Sequence, residues 1–245
     1  MQPKISVIVP CYNGGDFLKP CLQGVLSQDY PNTEVIFVDN ESVDRSVEVA
    51  TQFKESHPDF IIGSAPNLYK YAWEEPVQEA MKIMSGDYFT IVAADDLVAP
   101  FYISEVVKLI EKEGDMQCFQ TALRNLNPDG GLAPAAAHQY SGMEEFKDSL
   151  LKHCSVHTPT VVYNRELYDE GHVYWVADKY LGAADYDMYC SFADKGIYIH
   201  TFYTWLGYVY RVHEAQSTWG MVEEASKGNV FDHKIQSFWR KQWKK

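Results

Sequence analysis

The stretch that decides the fold is GDYFTIVAADD, which occupies residues 86–96. An apolar run ends there in two adjacent carboxylates, Asp95 and Asp96, and Pro100 follows shortly after. An unpaired carboxylate is costly to bury, and the ligands of an open parallel sheet gather at the carboxyl ends of its strands. We therefore interpret the pair as a site for a metal ion and a phosphate-bearing ligand. The alternative is a solvated turn, where Asp is common.

Short apolar runs and amphipathic segments alternate on both sides of this stretch. β-Branched runs predict buried parallel strands, and apolar residues at helical spacing predict the helices between them. The predicted strands are residues 5–9, 34–38, 60–62 and the opening stretch, and the predicted helices lie around 18–26, 47–50, 73–84 and 103–110. This alternation predicts an α/β fold in which a mostly parallel central sheet is flanked by helices.

Polar residues follow the predicted strands at one edge of this sheet. Tyr12 and Asn13 follow the first strand, Asp39 follows the second, and Asp95 and Asp96 end the fourth. This arrangement is typical of a nucleotide site. Neither a G-x-G-x-x-G nor a G-x-x-x-x-G-K-S/T motif is present in the sequence. We therefore expect a metal ion, rather than a glycine-rich loop, to hold the phosphates.

The second half of the chain is less regular. Its predicted elements are a strand over 116–123, a long loop over 124–142, a helix over 185–194 and strands over 197–199 and 206–212. Residues 226–245 predict a separate amphipathic basic helix, whose apolar face comprises Phe231, Ile235, Phe238 and Trp239. One interpretation is peripheral membrane contact through residues 230–245. The other, which we favour, is a helix packed on its own domain or on a partner.

Composition excludes several classes of protein. The 245 residues include 21 Lys and Arg against 34 Asp and Glu, a net charge of −13, which disfavours a nucleic-acid partner. The five cysteines are scattered, odd in number and without C-x-x-C spacing, as in proteins of a reducing cytosol. The sequence contains neither a signal peptide's apolar core nor an apolar run of about 20 residues. We expect a soluble, cytoplasmic protein, with contact at the inner face of the membrane left open.

Several motifs in order along the chain resemble those of the inverting glycosyltransferases of family 2, which have the GT-A fold. The matching segments are SVIVPCYN at 6–13, LSQDYP at 26–31, EVIFVDNESVD at 34–44, the opening stretch, the helix beginning at Ala184-Asp185, and YRVH at 210–213 followed by Ser217. Each motif is weak alone, but together they cover residues 5–217 and are specific.

The resemblance implies a role for each candidate residue. The nucleobase and ribose would be held by Pro10, Tyr12, Asn13 and Asp39, and Asp95 would contact the ribose or sugar. On the same resemblance, Asp96 would bind the cofactor, Mn²⁺ or Mg²⁺, with His213 as a further ligand or phosphate contact. Asp185 would be the general base that deprotonates the acceptor hydroxyl, with Asp187 as the alternative base.

Most of these residues also have a structural interpretation. Asp39 is a common turn residue, Asp185 is a common helix cap, and His213 is more often a structural hydrogen-bonding residue than a ligand. His153 and His157 near the acceptor cleft, and at least two of Trp175, Trp205 and Trp219, are more simply explained by packing.

The sequence also departs from the family pattern. Ala93 replaces the first Asp of the D-x-D-D run, Asn40-Glu41 replaces D-G, Ala184 replaces a Glu, Ser191 replaces an Arg, and residues 67–78 replace the usual N-x-G-x-x-x-A-R-N. These departures favour an altered donor or acceptor preference. They also motivate one alternative, a non-catalytic homologue that binds sugar nucleotides or glycans. A second is a sugar-1-phosphate nucleotidyltransferase, which would require a basic glycine-rich loop that Cys11–Gly15 does not supply.

The function predicted from the sequence is metal-dependent, inverting transfer from a nucleotide-sugar donor. The donor is expected to be a UDP-sugar, and the acceptor a glycan or lipid-linked intermediate in cell-surface polysaccharide synthesis. Residues 1–225 are the predicted catalytic domain, with a nucleotide-binding half at 1–97 and an acceptor-binding half at 98–225.

Overall fold

A computed structural model describes residues 2–114, 116–217, 221 and 229–244. The strands are β1 (Ile5–Cys11), β2 (Thr33–Asp39), β3 (Ile61–Ser64), β4 (Tyr88–Ile91), β5 (Leu97–Val98), β6 (Cys118–Leu126), β7 (Val162–Asn164) and β8 (His200–Arg211). The helices are α1 (Gly15–Leu26), α2 (Ser46–Ser56), α3 (Glu74–Ile83), α4 (Tyr102–Glu113), α5 (Met143–Leu150), α6 (Glu166–Asp169), α7 (Ala177–Tyr180), α8 (Ala184–Asp194) and α9 (Asp232–Gln242). The strands form a single sheet in the order β3-β2-β1-β4-β7-β6-β8-β5.

The first half has the predicted alternation of strands and helices. Strand β1 pairs in parallel with β2 and β4, and β2 pairs in parallel with β3. Successive residues of β1 point to opposite faces of the sheet: Ile8 belongs to one buried cluster, whereas Val7 and Val9 belong to the other. In this register Cys11 lies opposite Asp39, so the loops that follow β1 and β2 leave the sheet side by side.

The second half differs from the prediction in several places. The three-residue strand β7, which the sequence pattern did not indicate, pairs antiparallel with both β4 and β6 and makes the sheet mixed. One strand, β8, begins at His200, so the predicted strand at 197–199 is wrong: Ile197 and Ile199 are buried core residues outside any strand. Helix α5 lies just beyond the predicted loop at 124–142, which itself makes two isolated bridges to β6.

Helix α9 packs on its own domain. Ile235 and Trp239 are buried in the same core cluster as α8. The Trp239 indole N–H donates to Asp187 Oδ1 at 2.8 Å, and the Trp243 indole N–H donates to Asp194 Oδ1 at 2.9 Å. These contacts confirm the favoured interpretation of this helix. The predicted boundary at residue 226 lies outside the described residues, and the division at 97/98 stays a prediction.

Two further expectations concern the whole chain. The five cysteines are free thiols, as their spacing indicated. Within the described ranges, no helix combines the length and the apolar character that crossing a bilayer requires.

Candidate active site

A large cleft of about 1580 Å³ lies at the carboxyl ends of β1 and β4. Its lining includes the loop after β1 together with Asp95 and His213. It also includes Thr158, Asp185 and Tyr186, and the segment before α3. Of the residues predicted for the site, the cleft is lined by Pro10, Tyr12, Asn13, Asp95, Asp185 and His213.

Asn13 joins the loops that follow β1 and β2. Its backbone N–H donates to Ser42 Oγ at 2.9 Å, and its side-chain oxygen accepts the Val43 N–H at 2.8 Å. Asn13 has a φ of 51°, a conformation that Asn tolerates better than most residues. These bonds occupy the Asn13 side-chain oxygen, while the neighbouring Tyr12 remains 54% exposed.

Asp39 ends β2 with one carboxylate oxygen bonded and one unsatisfied. The residue is 7% exposed, and its Oδ2 accepts the Ser42 N–H at 3.1 Å. The other oxygen, Oδ1, is buried and has no hydrogen-bond partner within the described part of the chain. A buried acceptor without a donor is costly. Asp39 is not among the residues that line the cleft, although its neighbour Asn40 is.

Asp95 and Asp96 point in different directions. Asp96 is fully buried: its Oδ2 accepts the Tyr208 hydroxyl at 2.7 Å, and its Oδ1 accepts the Arg211 N–H at 2.8 Å. Burial, and then the charge of Asp95, raise the pKa of Asp96 well above its usual range. Asp95 lines the cleft, with its Oδ2 at 2.9 Å from His213 Nε2. This geometry differs from the predicted one, in which Asp96 faces the metal.

Arg211 fixes the end of β8 beside the carboxylates. Its Nε donates to the Asp95 carbonyl oxygen at 2.7 Å, and its guanidinium lies 4.9 Å from the centre of the Phe17 ring. The Phe17 ring in turn packs against His213 at a centroid distance of 4.4 Å. These contacts connect α1, the turn after β4 and the end of β8, and so bring His213 to Asp95.

Asp185 lies in the first turn of α8 and lines the same cleft. The Thr158 hydroxyl donates to its Oδ2 at 2.7 Å, and the Tyr186 N–H donates to its Oδ1 at 2.7 Å. Burial raises the pKa of Asp185 to about 6, and the hydrogen bond from Thr158 opposes that rise. Asp187, the alternative base, is instead bonded to Trp239 of α9 and does not line the cleft.

The cleft also contains residues that the sequence did not single out. Thr158 is one of them, and no sequence signal identified its short turn. Gly182 is another: a Cβ added there would lie 2.4 Å from the carbonyl oxygen of Tyr71, which belongs to the atypical segment 67–78. Tyr71 and Leu181 both have positive φ values, 66° and 49°. The turn that leads into α8 therefore touches the segment before α3 through the backbone.

The remaining candidates are explained mainly by packing. His157 lines the cleft, and its ring lies 4.8 Å from that of His138, which is 5.3 Å from the exposed His153. Trp175 is buried with an edge contact to Trp73. Trp205 donates its indole N–H to the carbonyl oxygen of Tyr208. Trp219 lies outside the described residues.

Comparison with known proteins decides the family. Residues 6–170, more than half of the 245-residue chain, match Glycosyl transferase family 2. The chain belongs to this family. It is 26% identical over 199 residues to the chondroitin synthase of Pasteurella multocida, and the match covers 81% of this chain but 20% of that protein. The chain therefore spans about a fifth of the length of that family 2 relative.

Solved structures confirm the GT-A fold of this family 2 chain. S. aureus TarS 1-349 in complex with UDP-GlcNAc has a TM-score of 0.67 at 16% identity, covering 96% of this chain and 71% of that chain. The mannosyltransferase PcManGT from Pyrobaculum calidifontis, in complex with GDP-Man and Mn²⁺, has a TM-score of 0.62 at 19% identity. That match covers 98% of this chain and 70% of the mannosyltransferase chain.

The residues of the cleft fit the divalent metal that a family 2 site implies. Asp95 and His213 supply neighbouring oxygen and nitrogen donors, whereas both Asp96 oxygens have protein partners. Among the residues with described positions, no three His, Cys, Asp or Glu side chains are grouped to hold a metal ion on their own. Mg²⁺ in proteins is usually held by one or two carboxylates together with substrate phosphates. The donor set therefore suits a metal shared with a diphosphate.

The two alanine departures from the family 2 pattern lie in different surroundings. Ala93 lines the cleft, so the carboxylate usual at this position is missing from the site itself. Ala184 is fully buried, and the departure at that position therefore falls in the core. Of the two, Ala93 is the one that bears on ligand binding.

Proposed function

We propose that this chain is a metal-dependent, inverting glycosyltransferase. It transfers a sugar from a nucleotide-sugar donor to a hydroxyl of a glycan or lipid-linked acceptor in cell-surface polysaccharide synthesis. The observation that carries the proposal is the cleft itself, because one cavity is lined by the Asp95–His213 pair and by Asp185, whose pKa is raised.

The donor binds beside β1 and β2, with its diphosphate toward Asp95. The unsatisfied Oδ1 of Asp39 accepts the imide N–H of the base, and the exposed Tyr12 ring contacts the base or the ribose. Asp95 and His213 would hold Mn²⁺ or Mg²⁺, which when bound would supply positive charge beside the diphosphate leaving group. The UDP-GlcNAc in the TarS complex favours a UDP-sugar as the donor. The mannosyltransferase complex contains GDP-Man, so GDP-sugars have to be tested beside UDP-sugars.

The acceptor binds in the part of the cleft that is lined by Asp185. Asp185 takes the proton of the acceptor hydroxyl as that oxygen forms a bond to the anomeric carbon and the bond from that carbon to the diphosphate breaks. Attack from the face opposite the leaving group inverts the anomeric centre. With a pKa of about 6, Asp185 is ionised at neutral pH and is a stronger base than an ordinary Asp.

The proposed reaction takes place in the cytoplasm, at the inner face of the membrane. On α9, Phe238 is 41% exposed, Lys241 follows three positions later on the same side, and Lys179 lies 5.0 Å from the centre of the Phe238 ring. The outer face of the helix therefore combines an apolar ring with positive charge. Such a face suits weak contact with anionic lipid headgroups. Co-sedimentation with phosphatidylglycerol vesicles, compared with phosphatidylcholine vesicles and with the F238S/K241E variant, tests this localisation.

The decisive experiment incubates the protein with UDP-sugars and GDP-mannose, in Mn²⁺ and in EDTA, with and without candidate acceptor glycans. We expect metal-dependent release of one nucleoside diphosphate and an inverted anomeric configuration in the product by NMR. D185N is the matched control and should bind the donor without transferring the sugar. Retention of configuration would contradict the mechanism.

Ala93 lines the cleft at a position where the family usually has a carboxylate. This substitution supports one alternative function, a binding protein without transferase activity. Tight binding of a nucleotide sugar, without diphosphate release from any donor and acceptor pair, would favour that alternative.

A further inference from the structure

The Asp185 carboxylate is held by a residue from a different part of the chain. Thr158 begins a short 3₁₀ turn, Thr158–Thr160, and its hydroxyl donates to Asp185 Oδ2 at 2.7 Å. The Tyr186 N–H donates to the other oxygen at 2.7 Å. Each carboxylate oxygen thus has one donor on the protein side, and this arrangement fixes the orientation of the carboxylate plane.

Two buried phenol groups lie near Asp185. The Tyr189 hydroxyl lies 2.8 Å from the Tyr163 hydroxyl, and the charge of Asp185 acts on both. Both tyrosines are fully buried, and burial raises the pKa of each phenol well above its usual range, so both stay protonated.

The charge on Asp185 sets the direction of its hydrogen bond with Thr158. An ionised carboxylate only accepts hydrogen bonds, and a hydroxyl has a single hydrogen to donate. Thr158 therefore directs its hydrogen to Asp185, and this hydrogen bond favours the ionised form of the carboxylate.

We infer that Thr158 is a positioning residue for Asp185: its hydroxyl keeps the carboxylate ionised and in a single orientation. The inference rests on the proposed role of Asp185 as the base. The charge that acts on Asp185 is that of Asp232, which disfavours its ionised form, and Asp232 in turn lies near two histidines, His153 and His233. Four further acids lie near Asp185, but burial raises the pKa of each, so they are mostly uncharged where Asp185 titrates: Glu74, Cys154, Tyr163 and Tyr189.

The test measures how kcat/KM for transfer depends on pH in T158V, T158S and T160V. Removing a hydrogen bond to a charged group changes its ionisation by about tenfold or more, so T158V should move the acidic limb of the profile up by about one pH unit. T158S keeps the hydroxyl and should restore the wild-type limb. T160V is the matched control. The Thr160 hydroxyl donates to the carbonyl oxygens of Thr121 and His157, so T160V should lower the melting temperature without moving the limb.

The result that overturns the inference is a T158V profile identical to that of the wild type while D185N still abolishes transfer. Normal transfer by D185N would instead remove the proposed base, a failure that is distinguishable from the first. If T158V does not fold, T158A supplies the test, because it removes the same hydroxyl from Asp185 without placing a branched side chain at the turn. We expect the same upward movement of the limb in T158A, and no movement would overturn the inference.

Discussion

Asp95 and Asp96 are neighbours in the chain, yet we expect alanine substitutions at the two positions to affect different properties. D96A should destabilise the fold, whereas D95A should remove the metal dependence of nucleotide binding. D96A would leave the Tyr208 hydroxyl and the Arg211 N–H without their acceptor in a fully buried site. Each unsatisfied buried group costs about 1–3 kcal/mol, so the free energy of unfolding should fall by about 2–6 kcal/mol. For a protein of this size, that is a melting temperature lower by roughly 10 °C.

D95A should leave the fold intact and remove the metal dependence of nucleotide binding. The Asp95 and His213 side chains are 27% and 16% exposed, and partly exposed ion pairs contribute about 1 kcal/mol at most. Calorimetric titration with UDP in Mn²⁺ and in EDTA should therefore show metal-dependent binding for the wild type and the same weak affinity in both buffers for D95A. The opposite result would show that Asp96 is the ligand and that our reasoning is wrong. In that result, D96A keeps the wild-type melting temperature but loses metal-dependent nucleotide binding, and D95A retains metal-dependent binding.

Three further predictions concern the base, the nucleobase and the terminal helix. D185N should bind the donor normally and transfer about 10²-fold more slowly or worse. In the wild type, kcat/KM should rise with pH up to about 6 and then level off, because only the ionised carboxylate accepts the proton; a flat profile from pH 4 to 8 would exclude this base. D39A should weaken UDP binding about tenfold or more, because it removes the unsatisfied acceptor Oδ1. Unchanged affinity in a calorimetric titration would mean that the nucleobase does not bind at Asp39. W239F should lower the free energy of unfolding by about 2 kcal/mol by leaving Asp187 Oδ1 without its donor, and an unchanged melting curve would contradict the assigned contact.

The sequence predicts the first half of the fold well because the buried apolar runs of β1, β2 and β4 alternate with amphipathic helices. The second half lacks that regularity. Strand β7 has three residues and gains its strand conformation from β4 and β6 on either side, so its own sequence carries almost no signal. Helix α5 has only Phe146 and Leu150 buried, too few for a clear periodic pattern.

Site residues were harder to assign than strands, because the sequence does not say which way a side chain points. The buried partners of Asp96 include Tyr208, which is 112 positions away in the chain. Asp185 and Asp187 are two residues apart on a helix, so their side chains point about 200° apart and only one can face the cleft. The sequence alone left that choice open, whereas the contact of Asp187 with Trp239 settles which of the two faces α9.

The contact between Gly182 and the Tyr71 carbonyl has a consequence for how the cleft can change. Because even a methyl group at 182 would overlap that oxygen, two stretches of main chain are in direct contact at this point of the cleft lining. Side-chain substitutions elsewhere can alter the lining of the cleft but leave this contact in place. A deletion or insertion within 67–73 would alter the contact itself, and we expect it to reshape the lining near Asp185 more than a single side-chain substitution there would.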